Sequence, residues 1–313
     1  MTIREALAGG SAALAAAGIE NPGLDASLLL AEVFNISRSS LMAAATEPLT
    51  ETSNAAFDSL IKRRLAGECT AYILGKKEFY GLDFQVNSSV LVPRPDTEIL
   101  VEAALKQLKI GSGKSGRILD CMRSVHTKGM CAEANTLPKQ ESVLKGRILD
   151  LCTGCGAAAI ALKHEMPDLE VWAADISAEA LEVAAANATR LLTTGEIHFC
   201  LGNLFDALPS SPFTLILSNP PYIPSAEIAG LSPEVRGEPI LALDGGSDGL
   251  DIISNIISRA PEFLCPGGIL LLEADPRQME QIGSLLSQAR FTNIQTHRDL
   301  SGKERVIEGK KPC

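Results

Sequence analysis

No run of about 18 uncharged apolar residues occurs in this 313-residue chain, which excludes a helix long enough to cross a bilayer. The Ala-rich start, Met1 to Gly18, carries Arg4 and Glu5 and lacks a secretory-signal pattern. A soluble, cytoplasmic protein is expected. A cationic excess is also missing: 28 Lys and Arg stand against 38 Asp and Glu, a net charge of −10. That argues against a broad electrostatic grip on nucleic acid, though not against a local basic patch. The eight cysteines (Cys69, Cys121, Cys131, Cys152, Cys155, Cys200, Cys265, Cys313) are scattered, which fits reduced thiols better than a disulfide framework. No metal-ligating helix pattern is present either.

What is present begins as helix. Leu7, Leu14 and Ala17, then Leu24, Leu28, Leu29 and Val33, then Phe57, Leu60, Ile61 and Leu65 recur at helical spacing. Asn21-Pro22 and Thr50-Glu51-Thr52 supply helix starts. Residues 1–70 are therefore expected to form a small all-α domain that recognises a partner. The period then changes to two, in Tyr72-Ile73-Leu74-Gly75 and in Phe79 to Val86, which predicts a β-hairpin linker over 71–92. Pro93-Arg94-Pro95-Asp96-Thr97-Glu98 opens the third part, 93–313, with Asp96 as the expected N-cap of a long helix. Arg94 reads equally well as a linker contact and as a surface charge.

Gly116-Arg117-Ile118-Leu119-Asp120 is repeated word for word at Gly146 to Asp150. Only the second copy runs on into a glycine turn. The polar, aperiodic residues 117–146 are expected to be a flexible insertion. Cys121, His126 and Cys131 within it are spaced unlike a metal site, and no metal is expected.

Arg147 to Leu151 reads as a strand entering the turn Cys152-Thr153-Gly154-Cys155-Gly156, with a helix beyond from Ala157 to Glu165. The glycines let backbone approach a ligand closely, at a helix N-terminus with unpaired N–H groups. One crossover later, Leu169 to Asp175 is a strand ending in an acid, the residue type that grips ribose hydroxyls in adenosine-type cofactors. Ala159 stands where a nicotinamide fingerprint wants a third glycine, and Asp150 would repel a pyrophosphate. A phosphate-free cofactor with a cationic centre suits this turn better. Cys152 and Cys155 form a Cys-x-x-Cys, but in a ligand-cradling loop the redox reading is weak.

The alternation continues through a helix from Ser177 to Leu192, strands at Glu196 to Leu201 and Phe213 to Leu217, a helix from Leu250 to Phe263, a Pro266-Gly267-Gly268 turn, a strand from Ile269 to Leu272 and a helix from Pro276 to Ala289. Two closing strands, Ile294 to Arg298 and Arg305 to Glu308, are too close for a crossover. They predict a hairpin that makes one edge of a doubly wound parallel sheet antiparallel. The strand at Phe213 stops at Asn219-Pro220-Pro221-Tyr222, because neither proline can donate to a ladder. It presents one amide side chain and two stiffened carbonyls at the carboxyl edge, where ligands bind in open α/β sheets. Glu273 reads as a packing or edge residue, and His164, His198 and His297 as structural.

Asp150 to Gly156, Asp175, Asn219 to Tyr222, Glu234-Val235-Arg236-Gly237-Glu238-Pro239, Pro93 to Glu98 and Glu304-Arg305-Val306 together resemble the protein-(glutamine-N5) methyltransferases that modify peptide-chain release factors. The likeness covers nearly the whole chain apart from about residues 117–146. It implies a Rossmann-like class I methyltransferase sheet, S-adenosyl-L-methionine as cofactor, and the glutamine of a Gly-Gly-Gln loop in class 1 release factors as substrate. It places Asp150, Cys152, Thr153, Gly154, Cys155 and Gly156 at the cofactor, Asp175 on its ribose, and Asn203 and Leu204 at its adenine. Relatives often carry Asp where Asn203 stands, and some an aromatic where Leu204 stands. It gives the Asn219 oxygen and the Pro220 carbonyl the two N–H groups of the acceptor amide and counts Asn219 among the cofactor-binding residues as well, with Pro221 stiffening the loop and Tyr222 walling it. A monomer without stable nucleic-acid or membrane binding is expected. The rivals are a nucleic-acid exocyclic-amino methyltransferase, which uses the same planar-nitrogen geometry, and a catalytically silent adaptor. A chain lacking residues 117–146 is expected to stay folded and active; loss of its cooperative melting transition or of methyl transfer would mark the segment as structural.

Overall fold

The protein is described from a computed structural model covering residues 1–112, 146–209 and 212–313. The first copy of the repeat, the proposed insertion and the Cys121, His126 and Cys131 trio lie outside the described residues.

Four helices open the chain: α1 (Ile3–Ala16), α2 (Pro22–Phe34), α3 (Arg38–Ala43) and α4 (Glu51–Leu65). Their starts are locally encoded. Thr2 and Glu5 form a capping box, Pro22 holds the first position of α2, and the Thr50 hydroxyl accepts from the Ser53 N–H. Their apolar faces close on Leu14, Leu29, Leu30, Leu41 and Phe57, a core separate from those of the sheet.

Tyr72 to Leu74 belongs to a short helix, α5 (Thr70–Leu74), not to a strand. Gly75 ends that helix in the left-handed region (φ 68°), its N–H bonding back to Ala71 and Tyr72. The hairpin is confined to β1 (Lys76–Phe79) and β2 (Leu82–Gln85), joined at Tyr80-Gly81, both with positive φ.

The long helix α6 (Pro95–Ser112) begins two residues earlier than expected, so Asp96 lies in its first turn instead of capping it. Proline suits that first position, where no N–H partner is needed. Beyond it come β3 (Arg147–Leu151), α7 (Ala157–Glu165), β4 (Glu170–Asp175), α8 (Ala178–Leu191), β5 (Ile197–Leu201) and β6 (Phe213–Ser218). Two short helices, α9 (Ser225–Ile228) and α10 (Pro233–Arg236), punctuate the following loop. Then come α11 (Asp251–Phe263), β7 (Leu264–Glu273), α12 (Met279–Gln288), β8 (Thr292–Arg298) and β9 (Glu304–Lys310).

The seven large-sheet strands run β5-β4-β3-β6-β7-β9-β8. The ladders from β5 through β7 are parallel, and β9 runs antiparallel to both β7 and β8. The expected Pro266-Gly267-Gly268 turn is a bulge within a longer β7, since Phe213 and Leu215 pair with Leu264 and Ile269. Central strands are buried on both faces: Ile148, Leu215 and Leu271 fill one core, while Leu149, Ile216 and Leu270 fill the other. That explains why they read as continuous apolar runs.

The helical region is tied to the sheet by charge. Arg64, 3% exposed, donates to Asp25 Oδ2 at 2.7 Å and pairs with Glu234 of α10. The Val92 N–H donates to Glu238 in the same loop at 3.2 Å. Removing one partner of a buried ion pair strands the other. Arg64→Met is expected to lower unfolding free energy by about 3 kcal/mol in urea titration, whereas Arg63→Met, whose Glu68 pair is exposed, should leave it nearly unchanged.

Candidate active site

The carboxyl ends of β3, β4 and β6 converge, and each carries a segment singled out from the sequence. After β3 the chain turns sharply, with Cys152 at φ 58°, Gly154 at φ 54° and Gly156 at φ 82°. The turn is held from within. Asp150, 2% exposed, accepts from the Thr153 hydroxyl at 2.6 Å and from the Ala159 N–H at 3.2 Å. Asn187 donates to the Cys155 carbonyl at 3.1 Å. Gly156 has no room for a side chain, since a Cβ would come within 2.9 Å of Ile160. Gly154 faces open space, with nothing within 4 Å of where its Cβ would stand. An open, side-chain-free surface is what close approach by a ligand requires.

Asp175 stands beside that surface. Its carboxylate accepts from the Gly154 N–H at 2.8 Å and from the Ser177 N–H at 3.0 Å, one bond on each oxygen, which leaves lone pairs for hydroxyls. Ile176 and Leu201 form an apolar rim at the strand tips, 54% and 56% exposed, and Leu201 is in register with Asp175. Neither was singled out from the sequence. Leu204 is buried at positive φ (53°), while Asn203 is exposed.

Electrostatically the turn is acidic. Burial pushes the Asp150 carboxyl up to about 7, against the Thr153 and Ala159 hydrogen bonds that lower it. Burial and then the Asp175 charge push the Cys152 thiol to about 12, and burial does the same to Cys155. Both sulfurs are therefore protonated at neutral pH, which removes the thiolate that disulfide exchange needs. Two acids and an open glycine face fit a phosphate-free, cationic nucleoside and disfavour a pyrophosphate.

The proline stretch begins beyond Ser218, whose hydroxyl donates to the Leu151 carbonyl at 2.7 Å and ties the end of β6 to the turn. Asn219 Nδ2 donates to the Thr97 hydroxyl, in the first turn of α6, at 3.0 Å. Among the described residues nothing donates to Asn219 Oδ1 or to the Pro220 carbonyl. Tyr222 packs against the core beneath, and burial, then the Glu273 charge, raises its hydroxyl well above the ordinary tyrosine range. It is a neutral wall.

The loop is clamped from behind. Gln278 Nε2 donates to the Tyr222 carbonyl at 2.9 Å. A Cβ on Gly245 would lie 2.8 Å from the Pro221 carbonyl, and one on Gly249 2.2 Å from that of Tyr222. These glycines belong to Gly245-Gly246-Ser247-Asp248-Gly249, which spells a hydrolase nucleophile motif. Here it is a loop packed against the proline stretch, not the strand-to-helix elbow that chemistry needs.

Most of what sequence reasoning missed sits in the first turn of α6. Arg94 is a contact, paired with the buried Glu238; Asp96 meets Arg305 of β9 at 3.2 Å; Glu98 accepts from the Tyr80 N–H at 3.1 Å. Thr97, 6% exposed, lies between Asn219 and the buried Glu273. The sequence carries one signal for this, the unbroken Pro93 to Glu98 motif, but nothing in it distinguishes Thr97 from a helix-surface threonine. His297 bonds to Glu308 at 3.1 Å and His198 stacks on Trp172 at 4.5 Å, both away from the site.

Comparison with known proteins defines first a class. The model described as the PrmC N-terminal domain matches residues 5–75, and the methyltransferase small domain matches residues 129–230; the chain is a methyltransferase. The release factor glutamine methyltransferase of Geobacter sulfurreducens is 37% identical over 310 residues, 99% of this chain and 96% of that protein. That of Bradyrhizobium diazoefficiens is 38% identical over 96% of this chain and 92% of that protein. That of Gloeobacter violaceus is 44% identical over 75% of this chain and 72% of that protein. The chain belongs to the release factor glutamine methyltransferase family.

Burial raises the carboxyls of both Asp150 and Glu273 to about 7. Between pH 4 and 7 the folded chain therefore holds protons that the unfolded chain releases, and stability falls as pH rises through that window. Melting temperature is expected to rise as pH is lowered from 8 to 5.5; a flat or opposite trend in calorimetry would show these carboxyls to be charged in the fold.

Proposed function

We propose that the chain transfers a methyl group from S-adenosylmethionine to the side-chain amide nitrogen of the Gly-Gly-Gln glutamine in class 1 release factors. The observation that carries this reading is the pair of open acceptors, Asn219 Oδ1 and the Pro220 carbonyl, beside the acidic glycine turn in a chain of this family. An amide nitrogen is a poor nucleophile because its lone pair is delocalised into the carbonyl. Two acceptors at a fixed spacing match its two N–H groups and leave the lone pair aimed out of their plane. Proline rigidity holds both in place before substrate arrives, and Tyr222 offers a flat face to the planar amide. The requirement is in-line contact at about 3–3.5 Å, which positioning supplies without a general base.

Bound S-adenosylmethionine supplies an electrophilic methyl on a positively charged sulfur. Cys152 to Gly156 would hold its methionine and ribose, Asp175 the ribose hydroxyls, and Asn203 with Leu204 the adenine, with Ile176 and Leu201 as further apolar cover. Asp150 acts on the cofactor through the turn it organises. Residues 1–70 serve as the recognition domain, 71–92 as its hairpin linker and 93–313 as the methyltransferase domain. No helix among the described residues is long and apolar enough to cross a membrane, and the net charge of −10 weighs against stable nucleic-acid binding; the protein is read as a cytoplasmic monomer.

Labelled cofactor is expected to mark purified release factor, but neither its Gln→Ala loop variant nor total RNA and DNA. Label in nucleic acid alone would transfer the reading to an exocyclic amine. Asn219→Ala is expected to lower turnover by at least about 100-fold while the cofactor Kd changes less than about threefold; turnover within tenfold of wild type would remove Asn219 from its role.

A further inference from the structure

The open acceptors work only if Asn219 presents its oxygen, and an amide side chain can present either end. Its Nδ2 donates to Thr97 Oγ1 at 3.0 Å, so the orientation is decided by which way the Thr97 hydroxyl points. A hydroxyl carries one proton. Behind Thr97 lies Glu273, 1% exposed at the end of β7, and hydrogen bonding from Thr97 lowers its carboxyl pKa against the stronger effect of burial. Its Oε2 is buried with no hydrogen-bond partner among the described residues. A carboxylate only accepts. The hydroxyl proton therefore goes to Glu273, the hydroxyl lone pair is left for Asn219 Nδ2–H, and Oδ1 is turned to the open side.

We propose that Thr97 and Glu273 are positioning residues for methyl transfer, a two-bond relay in which the Glu273 carboxylate sets which end of the Asn219 amide meets the acceptor nitrogen. This rests on the role given to Asn219 above. With the Glu273 oxygen that faces Thr97 protonated the relay reverses: its O–H donates to Thr97, the hydroxyl proton turns to Asn219 Oδ1, and Nδ2 faces the substrate amide, donor against donor. Glu273 titrates near the physiological range, at about 7. The groups acting on it are Asp96, which raises its pKa, and Arg305 and Arg94, which lower it, with Tyr222 neutral alongside. Turnover at saturating cofactor is thus switched off as pH falls through about 7. Asp150 titrates in the same range, but in the cofactor turn, so its effect is read in cofactor Kd.

The test measures kcat on purified release factor at saturating cofactor, cofactor Kd by calorimetry, and melting temperature. Thr97→Val is expected to lower kcat about 100-fold with Kd within about threefold. Thr97→Ser, which keeps the hydroxyl, should recover kcat to within about fivefold of wild type. Glu273→Gln should remove the acid limb of the kcat–pH profile that wild type shows near 7, and this result decides the matter if Thr97→Val does not fold. Thr97→Val within threefold of wild type, or Thr97→Ser no faster than Thr97→Val, would overturn the relay. So would an acid limb unchanged in Glu273→Gln. If those results come with an inactive Asn219→Ala, only the relay falls; an active Asn219→Ala removes the underlying reading as well.

Discussion

The site depends on one short piece of backbone, the turn from Arg94 to Glu98. Each of its polar side chains reaches a different part of the chain: Arg94 the Glu238 loop, Asp96 the last strand, Thr97 the proline stretch, and Glu98 the hairpin. Pro95 starts the helix where no N–H partner is needed, so Asp96, Thr97 and Glu98 follow on successive positions of its first turn. Without that anchor Asn219 would be an amide on a loop, free to turn either face outward. The glycine turn on the other side is built on the same plan, with Asp150 and Asp175 satisfying backbone and hydroxyl groups so that bare main chain faces outward.

Burial explains the chemistry of both halves. The carboxyls of Asp150 and Glu273 and the thiols of Cys152 and Cys155 all lie where charge is poorly solvated, and each shifts toward its neutral form. Asp175, bound by two backbone N–H groups, is the polar handle of the glycine turn.

The sheet was legible because its strands obey simple rules. Phe213 to Leu217, Arg147 to Leu151 and Leu169 to Asp175 are apolar runs bounded by turn residues, and the helix caps at Thr50 and Ser177 are carried by single side chains. Tyr72 to Leu74 misled because three apolar residues cannot distinguish a strand from one helical turn, and the deciding feature, the left-handed Gly75, lies just outside them. Both ends of the site were legible as motifs. Their joining was not, because Thr97 and Asn219 are 122 residues apart and nothing local marks a threonine as a bridge. Glu273 read as a packing residue for the same reason: its burial is a property of the sheet order, not of its neighbours in sequence.

The contacts of the α6 turn also bear on the order in which the chain becomes an enzyme. Thr97 must wait for Asn219, and Asp96 for Arg305 on the last strand, while the helices capped at Thr2 and Thr50 close on contacts near in sequence. Loops that long close late, after local structure has formed. During synthesis the helical region can therefore close on its own core before the partners of Thr97 and Asp96 have been made.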